Sequence, residues 1–241
     1  MCNPNPKPTL NSLWWGHGAK TVGPHHPKCE DHYNIVTTND YVIVAVADGA
    51  GTAPKGGQGA KTAVESVTNR AAWHKGWGEG PNPTTLIKTA IRALKHNPMF
   101  ATTLSVVVIG PTTIRAAAIG DSPIVVVTKP NNQLLLWYAP QPSEYVNETE
   151  FVTSPNPTIT QWEHPTNQTQ GVVVATDGIN HLGIVNQTLP HPGLFVPLVQ
   201  RSTQHNLNLS TFIGFIADRH LLDDDLTICV ATPNTNHNPN Q

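Results

Sequence analysis

Four short clusters of carboxylates stand where apolar runs end. Val42 to Ala47 leads into Asp48-Gly49-Ala50-Gly51, and Val172 to Thr176 into Asp177-Gly178. Ala116 to Ile119 leads into Gly120-Asp121, and Asp223-Asp224-Asp225 opens onto the run Leu226 to Ala231. Runs of β-branched residues read as strands buried on both faces. Each such strand therefore delivers a carboxylate to a sheet end, where a glycine bends the backbone away. One Asp-Gly alone signals only a turn. Several together, on buried strands, suggest a metal site built from carboxylates. Hard divalent cations such as Mg²⁺ and Mn²⁺ select carboxylate, carbonyl and water oxygens. Two such ions about 4 Å apart can acidify a shared water and clamp a phosphoryl group.

Composition sharpens this reading. Charged residues make up 12% of the 241 positions, about half the usual share. Eight of the 16 acidic residues fall in those clusters or in the pair Glu30-Asp31. Such concentration in a charge-poor chain favours ligands over a solvated surface. The net charge of -2 gives no sign of a nucleic-acid partner or an anionic membrane surface. No apolar stretch approaches a membrane span, and no leader is expected. Three widely spaced cysteines, Cys2, Cys29 and Cys229, argue against a disulfide framework and for a reducing, cytoplasmic setting.

The elements that must position the carboxylates follow from periodicity. Strands are expected over Leu13–Ala19, Cys29–Thr37 and Tyr41–Ala47, then a glycine-rich loop to Gly59. Ala60, Ala63, Val64, Val67 and Ala71 have helical spacing. Asn82 as N-cap and Pro83 at the first helical position open a second helix, which Asn97-Pro98 stops. Strands Thr103–Ile109, Thr113–Ile119, Ile124–Thr128 and Gln133–Tyr138 read as an antiparallel meander. Short strands within Ala139–Gln170, the strand Val172–Thr176, helices over Pro192–Gln204 and Asn208–Arg219, and the strand Leu226–Ala231 complete the pattern. The fold class is α+β, with helices packed outside antiparallel sheets. Residues 1–10 and 233–241 are expected to be disordered tails on a single domain spanning 11–232.

The order of motifs resembles the metal-dependent Ser/Thr protein phosphatases of the PPM type (type 2C), in particular a compact bacterial subgroup. Cys29-Glu30-Asp31, Ala47-Asp48-Gly49-Ala50-Gly51, Ala101-Thr102-Thr103-Leu104, Ile119-Gly120-Asp121-Ser122, Ala175-Thr176-Asp177-Gly178 and Asp224-Asp225-Leu226-Thr227 stand in family order. Glu144-Tyr145-Val146-Asn147-Glu148-Thr149 resembles a segment of that subgroup. The resemblance implies a four-layer α-β-β-α sandwich of two antiparallel sheets flanked by helix pairs. It implies a protein-serine/threonine phosphatase that uses two Mn²⁺ or Mg²⁺ ions and a weaker third. Asp48 would bridge two ions. Asp177 and Asp224 would complete one, while Glu30 and the main-chain carbonyl of Gly49 would serve the other. Asp121 with Asp177 would hold the third, and Asp31 would orient water. The substrate would be a phosphorylated protein, with a Ser/Thr kinase as counterpart.

One position departs from the family. Where its phosphate-binding arginine usually lies stands His26, with Lys28 close by. Neither reproduces the bidentate contact of a guanidinium. The alternative reading is a pseudophosphatase that binds a phosphoprotein without turnover. A zinc site among His17, His25, His26, Cys29 and His32 fits no common ligand spacing, and the chain's 12 histidines make their grouping a matter of composition.

Overall fold

The computed structural model describes residues 13–72, 78–137, 149–186 and 188–235. Two five-stranded antiparallel sheets form its centre. One has the order β1 (Trp14–Thr21), β12 (Leu226–Pro233), β9 (Thr169–Ala175), β6 (Ile124–Thr128), β7 (Leu134–Trp137). The other has the order β2 (His32–Thr37), β3 (Val42–Ala47), β4 (Leu104–Ile109), β5 (Thr113–Ile119), β8 (Thr160–Pro165). A two-residue hairpin, β10 (Ile184–Val185) with β11 (Leu189–Pro190), lies beside them.

Helices α1 (Gly56–Ala72) and α2 (Pro83–Leu94) cover one sheet. Helices α4 (Pro192–Thr203) and α5 (Leu209–Asp218) cover the other. A single turn, α3 (Asn180–Gly183), follows the second Asp-Gly. The expected four-layer α-β-β-α sandwich is therefore the architecture observed.

Strand alternation shows why the apolar runs are continuous. In β3, Val42, Val44 and Val46 enter the core between the sheets. Ile43, Ala45 and Ala47 face the other way and pack with Ala60, Val64, Leu86 and Ile87 of the helices. Side chains alternate with period two, so a strand covered on both faces must be apolar at every position.

The helix signals hold with two shifts, the first being that α1 starts at Gly56, inside the glycine-rich loop expected to reach Gly59. Asn82 Oδ1 accepts the Thr84 N–H at 2.8 Å, with Pro83 in the first turn. The helix ends at Leu94, however, where Lys95 and His96 take left-handed conformations. Asn97 instead caps the short turn Pro98–Phe100, accepting the Met99 N–H.

The meander expected over Thr103–Tyr138 is split. β4 and β5 pair in one sheet, while β6 and β7 pair in the other. The chain changes sheet between Ile119 and Ile124. Gly120 makes this possible with φ +99°, and a Cβ there would lie 2.5 Å from Thr103 Cγ2. Strands apolar on both faces carry no mark of which sheet they join.

Residues 1–12 and 236–241, which hold most of the two expected tails, lie outside the described residues, as does Glu144–Glu148. Asn234 is buried and its N–H donates to the Leu13 carbonyl. Among the described residues no helix is long and apolar enough to cross a membrane.

Candidate metal and phosphate site

Asp48 follows the last residue of β3, and its backbone is pinned by two threonines. The Thr102 hydroxyl donates to its carbonyl at 2.6 Å, and the Thr103 N–H donates to the same oxygen at 2.9 Å. The Asp48 N–H donates to Thr103 Oγ1 at 3.1 Å. Gly49 forms an isolated bridge with Thr102, and a Cβ on Gly49 would collide with the first turn of α1. From the other sheet, Asp177 follows β9, and Asp224 and Asp225 precede β12. Gly178 lets these two chain ends approach, because a Cβ there would strike the Asp225 carbonyl oxygen. Asp177, Asn180, His181, Asp223 and Asp224 line a cavity of about 350 Å³ at this edge.

These carboxylates act on one another. Burial pushes the Asp48 carboxyl well above its usual range, and the charges of Asp31, Asp224 and Asp121 add to the effect. Burial also pushes Asp177 up to about 8, reinforced by Asp48, Asp121 and Asp224. The leading causes for both residues are burial and neighbouring carboxylates. A cluster of acids that penalise one another's charge in this way is suited to bind metal cations. Asp121 accepts the Thr149 hydroxyl at 2.7 Å.

Asp31 is 2% exposed. Its Oδ2 accepts the hydroxyls of Thr176 and Thr227, both at 2.8 Å. Its Oδ1 is buried without a hydrogen-bond partner among the described residues. Burial raises Asp31 to about 7; the two hydroxyls oppose this, and Asp225 and Asp177 add to it. A fixed carboxylate with one open oxygen can accept a hydrogen bond from water. The neighbouring Cys29 thiol is pushed up to about 12 by burial and then by Asp31, so it offers no thiolate as ligand or nucleophile. The donor set is thus hard oxygen, which fits Mn²⁺ or Mg²⁺.

The loop from Gly23 to Glu30 is tied to this edge by Asp225, to which the family resemblance assigned no role. Asp225 is 3% exposed; its Oδ1 accepts the Gly23 N–H at 2.7 Å and its Oδ2 the Glu30 N–H at 2.6 Å. His26 Nδ1 lies 3.2 Å from Asp225 Oδ1 and 3.5 Å from Asp224 Oδ1. Burial lowers the His26 pKa, but the close approach and charge of Asp225, and then the charges of Asp224 and Glu30, outweigh that and raise it. Lys28 Nζ lies 3.4 Å from Glu30 Oε1. Glu30 thus faces His26 and Lys28. Among the described residues, only His26, Asp224 and Asp225 set three ligand atoms within 4.8 Å of one another. The other carboxylates share a field at longer range.

The structure adds Thr102, Thr103, Thr176, Thr227 and Asp225 to the site. Motif order had marked the threonines without a role. His17, part of the rival zinc reading, is buried beneath α4 with its Nε2 3.0 Å from Ser202 Oγ.

A family model described as protein phosphatase 2C matches residues 25–213. Serine/threonine-protein phosphatase 3 of Escherichia coli (strain K12) is 29% identical over 245 residues, covering 88% of this chain and 96% of its own. Two solved structures share the fold at 14% identity. Serine/threonine phosphatase Stp1 from Staphylococcus aureus has a TM-score of 0.60 and covers 94% of this chain and 98% of its own. The catalytic domain of serine threonine protein phosphatase PstP, in complex with 2 manganese ions, has a TM-score of 0.62 and covers 91% and 97%.

Proposed function

The chain belongs to the protein phosphatase 2C family, and on that premise we propose that it hydrolyses phosphoserine and phosphothreonine in protein substrates with Mn²⁺ or Mg²⁺. The observation that carries this reading is the convergence of Asp48, Asp121, Asp177 and Asp224 from both sheets, close enough that Asp121 and Asp224 raise both Asp48 and Asp177.

In this reading Asp48, Asp177 and Asp224 would hold one ion, and Asp48, Glu30 and the Gly49 carbonyl another. Asp121 with Asp177 would hold a weaker third. When bound, the ions would supply an acidified water and offset the phosphoryl charge. Asp31, held through Oδ2 by two hydroxyls, would offer Oδ1 to orient water.

His26 takes the arginine's place in part. Its Nδ1 side is held by Asp225 and Asp224, which favour the imidazolium and leave Nε2–H for a phosphate oxygen. Lys28 adds a point charge, with a side chain 70% exposed. One hydrogen bond in place of a guanidinium fork means weaker substrate binding. Free Cys29 and Cys229 suit a reducing, cytoplasmic setting, and a Ser/Thr kinase is the partner that would supply the phosphoprotein. The catalytic domain would be residues 11–232, extended by Pro233 of β12 and the buried Asn234.

The test is phosphate release from a phosphothreonine peptide by purified protein in Mn²⁺ or EDTA, beside Asp48→Asn and Asp224→Asn. Release is expected in Mn²⁺ only, and at least about a hundredfold slower in both variants. Absence of release at any Mn²⁺ concentration would overturn the reading.

A further inference from the structure

Helices α4 and α5 part over a second cavity, remote in character from the carboxylate edge. It holds about 520 Å³ and is lined by Leu194, Leu198, Leu207, Phe212, Phe215 and Arg201, among others. That volume lies within the range of ligand and peptide pockets. Leu198 is buried, and Leu194, Leu207 and Phe212 pack partly against the core, so the floor is firm. Phe215 stands 52% exposed at the rim, with the Arg219 guanidinium 4.3 Å from its ring centroid. A half-exposed phenylalanine beside an apolar floor marks an interaction surface rather than core.

Charge says what would cover it. No acidic residue lines the groove. Arg201 is exposed and makes no ion pair among the described residues. Over residues 191–221 the ionisable side chains are Arg201, Arg219, His191, His205 and His220 against Asp218 alone. With the histidines neutral, Arg201 and Arg219 against Asp218 leave this stretch at +1, against -2 for the whole chain, and Arg201 is the charged side chain in the groove lining. The groove lies between two helices and is open to solvent, the setting in which a third, amphipathic helix lays its apolar side.

We propose that the groove between α4 and α5 docks an amphipathic segment of a partner protein, with apolar side chains on Leu194, Leu198, Phe212 and Phe215 and a carboxylate on Arg201. The proposal is independent of the phosphatase reading. It rests on other lining residues and is read out by binding.

The probe is a fluorescein-labelled stapled helical peptide with leucines at i, i+4 and i+7 flanked by glutamates, beside a twin flanked by lysines. Anisotropy is measured against the full chain, Arg201→Glu and Phe215→Ser, both exposed positions whose change leaves the core intact. The glutamate peptide is expected to bind saturably. Arg201→Glu and Phe215→Ser should each weaken it by at least about tenfold, and the lysine twin should not bind. Equal binding of the twins, binding indifferent to Arg201→Glu, or no saturable binding would overturn the proposal. Dodecanoate occupying the groove where the glutamate peptide does not bind would also overturn it, reassigning the groove to small amphiphiles.

Discussion

Asp177 shows what it costs this chain to gather carboxylates. Its folded pKa of about 8 lies far above the usual 3.8 of an aspartate, so the folded state holds a proton that the unfolded state has released across that interval. Stability from this group is present below about pH 4 and is lost as pH rises towards 8. Asp31, raised to about 7, acts in the same direction. In EDTA near pH 8, Asp177→Asn should therefore raise stability by about 1–2 kcal/mol, allowing for solvent screening at a part-exposed site. With Mn²⁺ present the order should reverse, because the wild type then gains ligand binding energy that the variant lacks. Urea unfolding of both proteins, with and without Mn²⁺, measures this. A variant less stable in EDTA would contradict the repulsion described. The acidic residues were legible because they stand at the ends of apolar runs. The role of Asp225 was not, since its partners Gly23 and Glu30 lie about 200 positions away in the chain. The hydroxyls of Thr176 and Thr227 likewise acquire a role only when two strands meet over Asp31.

Single elements are joined by polar contacts that periodicity does not show. His17 of β1 is 1% exposed, bonds Ser202 of α4 and stacks on Trp15 at 4.6 Å. Ser202 in turn lies 3.2 Å from Thr232 of β12. Burial, and then the His205 charge, lowers the His17 pKa from 6.5 to about 4. A depressed histidine pKa means that the unfolded state binds the extra proton. Stability is complete above about pH 6.5 and falls as pH drops towards 4, by about 3 kcal/mol for a shift of this size. The carboxylate site has the opposite slope, so the His17 contribution is read from the difference between wild type and His17→Gln. That difference should shrink between pH 7 and pH 4.5 in urea unfolding, and a constant difference would contradict the neutral, buried imidazole. Strand and helix positions were largely visible in the sequence because covering layers demand apolar residues at fixed periods. The division of β4–β5 from β6–β7 was not visible, since it turns on one left-handed glycine, Gly120, between strands of equal apolarity.

At the scale of the whole molecule, the candidate site belongs to neither sheet alone. Asp48 comes from the end of β3 in one sheet, and Asp177 and Asp224 come from β9 and the approach to β12 in the other. The valine core between the sheets, Val44, Val46, Val107, Val126, Val172 and Val174, sets their separation. Close-packed cores resist sliding, so the carboxylates can be held near one another despite their repulsion. The four-layer form was readable only through the motif resemblance, because α+β patterning does not say how many sheets there are. The most direct test of the account is an anomalous difference map from crystals grown with Mn²⁺. Two strong peaks bridged by the Asp48 carboxylate are expected, one also touching Asp177 and Asp224 and the other Glu30. A single peak on His26, Asp224 and Asp225, with Asp48 free of metal, would contradict the two-ion phosphatase account.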